Sequence, residues 1–140
     1  MSFRVLFNDC YGGFAVSEAF DAEYTKRTGK SFGGDLYILG ARRDPVALDL
    51  FDERGSEWCS GPNSMLAVHE IPNTFEKYWE IDEFDGSETV RLLISEAFVD
   101  VLETYLETDD RAAMIKQYHA ICAAAGRNAV TTNLNIGSVG

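Results

Sequence analysis

Residues 3–7 alternate around Arg4, the period-two pattern of a β-strand with one buried face. The run Asn8-Asp9-Cys10-Tyr11-Gly12-Gly13 breaks the pattern, because paired glycines admit positive φ and a tight turn. A helix is predicted to start near Ser17, whose hydroxyl can accept from a free amide of the first turn. Glu18 and Asp21 suit the positive end of that helix, Lys26 and Arg27 its negative end, and Gly29 its exit. Val16, Phe20 and Tyr24 give it one apolar edge.

Residues 35–39 read as a short strand. A second helix is marked by Asp44 as N-cap, Pro45 at the first helical position and Gly55 past the end, with Ala47, Leu50 and Phe51 toward the core. Residues 56–63 contain Gly61-Pro62 and read as loop. Residues 64–70 read as a strand, with Leu66 and Val68 on one face. Residues 78–84 alternate again, Trp79 and Ile81 inward, Glu80 and Asp82 outward. Asp85-Gly86 is the pair that a type I′ hairpin turn demands, and residues 89–92 return as the partner strand. Ser95 is placed as the cap of a third helix with Phe98, Val101, Leu102, Tyr105 and Leu106 at helical spacing. After a break at Thr108-Asp109, a fourth helix carries Met114, Tyr118, Ile121, Cys122 and Ala125 on one stripe. A break that short predicts an antiparallel helical hairpin.

These elements predict an α+β fold: a small, mainly antiparallel sheet packed by helices, with a C-terminal antiparallel helical hairpin. Residues 1–94 form the α+β core, residues 95–126 the hairpin packed on it, and residues 127–140 a polar tail, all within one domain. A chain of 140 residues is the usual size for that. The nine Phe, six Tyr and two Trp supply enough bulky apolar material to argue against disorder. The three cysteines, Cys10, Cys59 and Cys122, are widely spaced and form no Cys-x-x-Cys or Cys/His ligand pattern, so neither a metal nor a cofactor is expected. The opening stretch is too short in apolar residues for a signal-peptide core, and no run approaches the ~20 residues of a membrane helix. A cytoplasmic protein with free thiols and no membrane contact follows as the expectation.

The formal charge of -11 disfavours grip on a nucleic-acid backbone, which requires a basic surface. An acidic decoy of nucleic acid would want regularly spaced acids, and here they are scattered.

Four blocks carry a resemblance. Cys10-Tyr11-Gly12-Gly13-Phe14 precedes a Ser-started helix; Arg42-Arg43-Asp44-Pro45 is followed by Gly55; then come Val68-His69-Glu70-Ile71-Pro72 and Trp79-Glu80-Ile81-Asp82-Glu83-Phe84-Asp85-Gly86. In order and spacing they resemble a family of bacteriophage and large DNA virus proteins of undefined activity, over residues 3 to about 90. The departures are Gly40-Ala41 in place of an Ile-Pro pair and extra residues between Pro72 and Trp79. The two C-terminal helices lie outside the matched portion. The resemblance implies a viral or phage origin, hence a host cytoplasm, and no particular chemistry.

Candidate sites each admit two readings. Asn8, Asp9, Cys10, Tyr11, Gly12, Gly13 and Ser17 lie on a strand, glycine turn and helix start that can point amides at an anion. They lack the Gly-Lys-Ser/Thr of a P-loop, and the plainer reading is a tight connection. Cys10 precedes a helix, where a thiol can become reactive, with His69 or His119 as distant dyad partners. Alternatively it is a structural turn cysteine. Arg42 and Arg43, an adjacent basic pair in an acidic chain, form either an anion clamp or ordinary ion pairs. Glu83 shares the parity of Trp79 and Ile81, which makes it an inward acid that pairs with Arg42 or Arg4, serves catalysis, or guards a sheet edge.

The leading expectation is a non-enzymatic accessory protein that binds a host protein or a small anionic ligand between the glycine turn, Arg42/Arg43 and Glu83. Alternatives are a small hydrolase or transferase using residues 8–17, and a structural virion component. The apolar stripes of the last two helices suggest a homodimer face.

Overall fold

A computed structural model describes residues 1–32 and 40–126. The strand expected at 35–39 and the polar tail at 127–140 lie outside the described residues. The described chain is α+β, with four helices and two antiparallel strand pairs. It divides into two compact units. The first comprises Met1–Ile71 with Glu80–Arg91, and the second comprises Pro72–Trp79 with the chain from Leu92 onward.

In the first unit β1 (Ser2–Asn8) pairs with β2 (Leu66–Pro72), and β3 (Trp79–Phe84) pairs with β4 (Ser87–Leu92). The one small sheet expected from sequence is thus two ladders. The turn between β3 and β4 has Asp85 at φ 53° and Gly86 at φ 88°, the two positive φ values of a type I′ turn. Helix α1 (Glu18–Thr28) starts on Ser17, whose Oγ accepts from Phe20 N at 3.0 Å, and stops at Gly29 with φ 77°. Helix α2 (Pro45–Cys59) starts on Asp44, which accepts from Val46 N at 2.8 Å. The same carboxylate accepts the Tyr24 hydroxyl, tying α1 to the start of α2.

Gly55 interrupts α2 instead of ending it. At φ 83° and ψ 168° it breaks the helical path, and a further turn follows to Cys59 where a loop was expected. That turn forms because its residues have partners. Trp58 and Cys59 pack into the core, and Ser60 Oγ donates to Ser56 O and accepts from Leu66 N. Residues 15–17 then run antiparallel to 59–61 through Ser17 N to Cys59 O at 2.9 Å and Gly61 N to Ala15 O at 3.0 Å. The core between β1, α1 and α2 holds Leu6, Leu50, Leu66 and an aromatic trio in which Phe32 meets Phe20 and Tyr24 edge-on at 5.2 and 5.0 Å. Each fully buried large side chain of this kind contributes about 1.5–3 kcal/mol of transfer free energy.

In the second unit α3 (Ile94–Thr108) packs on α4 (Arg111–Ala124), and a 3-10 turn at Asn73–Phe75 lies against α4 and buries Phe75. Residues 72–79 therefore belong with the helices. Ser95 does not cap α3, which begins one residue earlier, because Leu93 N donates to Tyr78 O at 2.7 Å and sets the entry. Asp109 in the left-handed region ends α3, and Asp110 caps α4 through Ala113 N at 3.0 Å. Among the described residues no helix is long and apolar enough to cross a membrane.

Cys59 is wholly buried, with Sγ 3.6 Å from Leu50 O. Burial pushes its thiol up from 9.0 to about 11, the Arg54 charge pulling weakly the other way. The folded state therefore holds this proton more tightly than the unfolded chain does. Its contribution is complete below about pH 9 and is lost as pH rises through about 11. Urea denaturation is expected to show stability falling across that window, with the component missing in Cys59→Ala.

Candidate functional site

β1 delivers Asn8 into the interior of the first unit, where it is fully buried. Its Nδ2 donates to Cys10 O at 2.7 Å and Gly86 O at 2.8 Å, while its Oδ1 accepts from Met65 N at 2.9 Å and lies 3.4 Å from Cys10 Sγ. Both donors and both lone pairs of the amide are thus used. The Asn8 backbone N–H donates to Glu88 Oε1 at 2.8 Å. Side-chain bonds, rather than a continuous ladder, join the end of β1 to the β3–β4 hairpin.

Glu88 occupies the inward register of β4 with Val90 and Leu92, while Thr89 and Arg91 face out. Its carboxylate meets Arg42 in a two-point pair, Nη1–Oε1 at 2.7 Å and Nη2–Oε2 at 2.9 Å. Arg42 also donates to Leu6 O at 3.3 Å, and its guanidinium lies 3.6 Å above the Phe14 ring. Arg42 is 3% exposed and Glu88 7%. Removing two charges from water costs several kcal/mol for each ion, and only close, hydrogen-bonded geometry offsets that. This pair has it.

The glycine turn packs on the same spot. A Cβ on Gly12 would fall 1.4 Å from Asn63 O, and one on Gly86 would fall 2.3 Å from Tyr11 O. The 11–13 backbone is therefore wedged between residue 63 and the hairpin turn. Gly13, at φ 87°, needs glycine for its conformation, since nothing lies within 4 Å of its missing Cβ.

In front of the ion pair lies a cleft of about 330 Å³, with Gly13, Phe14, Arg42, Ile81, Glu83 and Glu88 in its walls. The structure brings together Asn8, Cys10, Gly12, Gly13 and Arg42, with Glu83 at the cleft wall, as the sequence suggested, and it places the others differently. Arg43 lies 3.9 Å over the Phe3 ring. Asp9 and Tyr11 are exposed. Ser17 Oγ accepts from Phe20 N and donates to Trp58 O at 2.7 Å, so it serves the start of α1. Cys10 Sγ lies near two oxygens, Asn8 Oδ1 and Asn63 O, rather than an imidazole, while His69 meets Phe7 edge-on and His119 lies beside Tyr118 in α4.

Glu83 is the main correction. It was expected inward and paired with Arg42 or Arg4, yet it is exposed, and its Oε1 accepts from Gly86 N at 2.6 Å across the turn. Burial fades along β3 toward the hairpin, so parity with Trp79 no longer means inside by residue 83. Arg4 pairs with Asp52 at 2.7 Å on the surface. Sequence reasoning missed Glu88, although its shared parity with Val90 and Leu92 was the available signal.

Among the described residues no group of three or more His, Cys, Asp or Glu side chains could hold a metal ion. No protein-family model, curated protein or solved structure matches this chain.

Arg42→Met or Glu88→Leu alone is expected to cost about 3–5 kcal/mol in urea denaturation, and the double replacement to recover most of that loss. Single costs under about 1 kcal/mol would show that the pair carries little of the fold. For the turn, Gly12→Ala is expected to cost at least about 2 kcal/mol by overpacking, against about 1 kcal/mol for Gly13→Ala from backbone conformation. Thermal melts of the two variants give the order.

Proposed function

We propose that this chain is a virus- or phage-encoded accessory protein that acts by binding, and that its partner is a basic segment of a host protein held at the cleft in front of Arg42. The four sequence blocks support the viral origin. The charge balance of the cleft carries the choice of partner. One guanidinium faces two carboxylates there, and the guanidinium is already matched by Glu88 at two points. A small anion would have to draw Arg42 away from Glu88, undoing a buried pair at a cost of about 3–5 kcal/mol. A cationic or hydrogen-donating group meets no such obstacle, because Glu83 is exposed at the wall. The overall charge of -11 favours the same class of partner through long-range attraction.

Two of the groups that a hydrolase or transferase could use from residues 8–17 are committed elsewhere, and the Cys10 thiol lies beside two oxygens rather than a base. Asn8 is saturated and Ser17 holds a helix start. This supports the binding reading over the enzymatic one.

A short oligolysine peptide, titrated by calorimetry at low salt, is expected to bind and to weaken as ionic strength rises. Glu83→Gln is expected to weaken it several-fold while leaving the melting temperature close to that of the parent. Inorganic phosphate is expected to leave the melting temperature unchanged. Stabilisation by phosphate with no oligolysine binding would instead support the anionic-ligand reading.

A further inference from the structure

In the second unit α3 and α4 each place an alanine, Ala97 and Ala120, at the lip of their contact, and the small side chains leave room between the helices. Tyr78, from the segment that precedes α3, borders the gap. The result is a cleft of about 300 Å³, at the small end of those that take small molecules. Its floor is apolar, because Ala97, Val101 and Ile121 are buried. Its rim is polar. Asp100 and Thr104 stand one turn apart on α3, on the stripe of Ala97 and Val101, and Gln117 stands one turn before Ile121 on α4.

The rim has hydrogen-bonding capacity that the fold does not use. Asp100 Oδ2 accepts the Tyr78 hydroxyl. That bond, ahead of burial, raises the Tyr78 hydroxyl above its ordinary range, so it stays a donor and fixes the carboxylate. Among the described residues no cation pairs with Asp100, and no hydrogen bond engages the Thr104 hydroxyl or the Gln117 amide. Lys77 and Lys116, chain neighbours of Tyr78 and Gln117, are exposed and line no part of the cleft. On α3 the charges nearest Asp100 are Glu96 and Glu103, one turn to either side, and both are acids.

These features define the ligand's chemistry. The one charged group in the lining is a carboxylate, which disfavours an anion. With Oδ2 occupied, Oδ1 is left for a single-point donor. That suits an ammonium better than a guanidinium, whose planar fork is made for both oxygens. An ammonium carries three donors, and Asp100, Thr104 and Gln117 supply three acceptors. We propose that this cleft binds a small primary amine with a short apolar body, its ammonium on Asp100, Thr104 and Gln117 and its apolar end over Ala97, Ala120 and Ile121. The site is independent of the cleft in front of Arg42.

The test is an NMR titration of the full chain that follows backbone amide shifts. The probes are 2-phenylethylamine, its neutral counterpart 2-phenylethanol, and phenylacetate as an anion. At neutral pH the amine is expected to shift amides of residues 97–104 and 117–121 and to saturate at about millimolar concentration, as befits a ligand of this size. Asp100→Asn keeps an oxygen for the Tyr78 hydroxyl and removes the charge. It is expected to weaken the amine about fivefold, the upper range for an exposed ion pair, and to leave 2-phenylethanol unchanged. Ala120→Leu fills the cleft from an exposed position and is expected to abolish binding of both, with circular dichroism checking that the helix still forms. Glu18→Gln removes one charge from the first unit and is expected to leave the amine's affinity unchanged. Several outcomes overturn the proposal. Amine shifts that are absent from these residues, or that weaken as much in Glu18→Gln as in Asp100→Asn, leave only attraction to an acidic surface. An Asp100→Asn chain that binds the amine as the parent does gives the carboxylate no part in recognition. Binding that survives Ala120→Leu lies elsewhere, and phenylacetate binding in the amine's place reverses the charge preference.

Discussion

A buried arginine that needs a carboxylate organises the first unit. Arg42 lies within a short 3-10 turn (Ala41–Arg43) ahead of α2, Glu88 sits in the returning strand of a hairpin, and β1 reaches Glu88 through Asn8 N and Arg42 through Leu6 O. No continuous ladder joins β1–β2 to β3–β4, so these polar contacts hold the two strand pairs together at their meeting point. An interior bond of this kind is directional where apolar packing is not. Substituting the apolar core can shift volumes, whereas substituting this cluster leaves donors and acceptors with no partner.

The glycine turn follows from the same constraint. The Asn8 side chain must bond residues on three segments at once, which draws the 10–13 backbone against residue 63 and the hairpin turn. Only a residue without Cβ fits at Gly12. The run read in sequence as a glycine turn packs its backbone closely against residue 63 and the hairpin turn, and Arg42, Glu83 and Glu88 line the cleft beside it.

Local signals made much of the fold legible. Ser17 and Asp44 capped their helices as read, Gly29 ended α1, Asp85-Gly86 made the hairpin turn, and Asp109 broke the last two helices apart. All of these depend on a few neighbouring residues. What sequence reading missed depends on distant ones. Gly55 was read as an end because the turn after it is held by Leu66 and by core packing around Cys59. Ser95 was read as a cap because the carbonyl that fixes the start of α3 belongs to Tyr78. At the candidate site the cluster was legible on one side only. Arg42 stood out as a cation in an acidic chain, but its partner was sought at Glu83, where strand parity applies and burial does not. Parity gives a side of the sheet, and only the rest of the molecule decides whether that side is covered.

The contact between the Asn8 amide and Glu88 spans 80 positions of the chain. Closing a loop of that length costs configurational entropy that grows with the logarithm of its length, whereas the β3–β4 turn closes over two residues. Formation of α1 and α2 between them shortens the effective path before the ends meet. The Asn8–Glu88 clasp is therefore the contact with the largest closure cost of those at the cluster, and that cost is smaller once α1, α2 and the hairpin have formed.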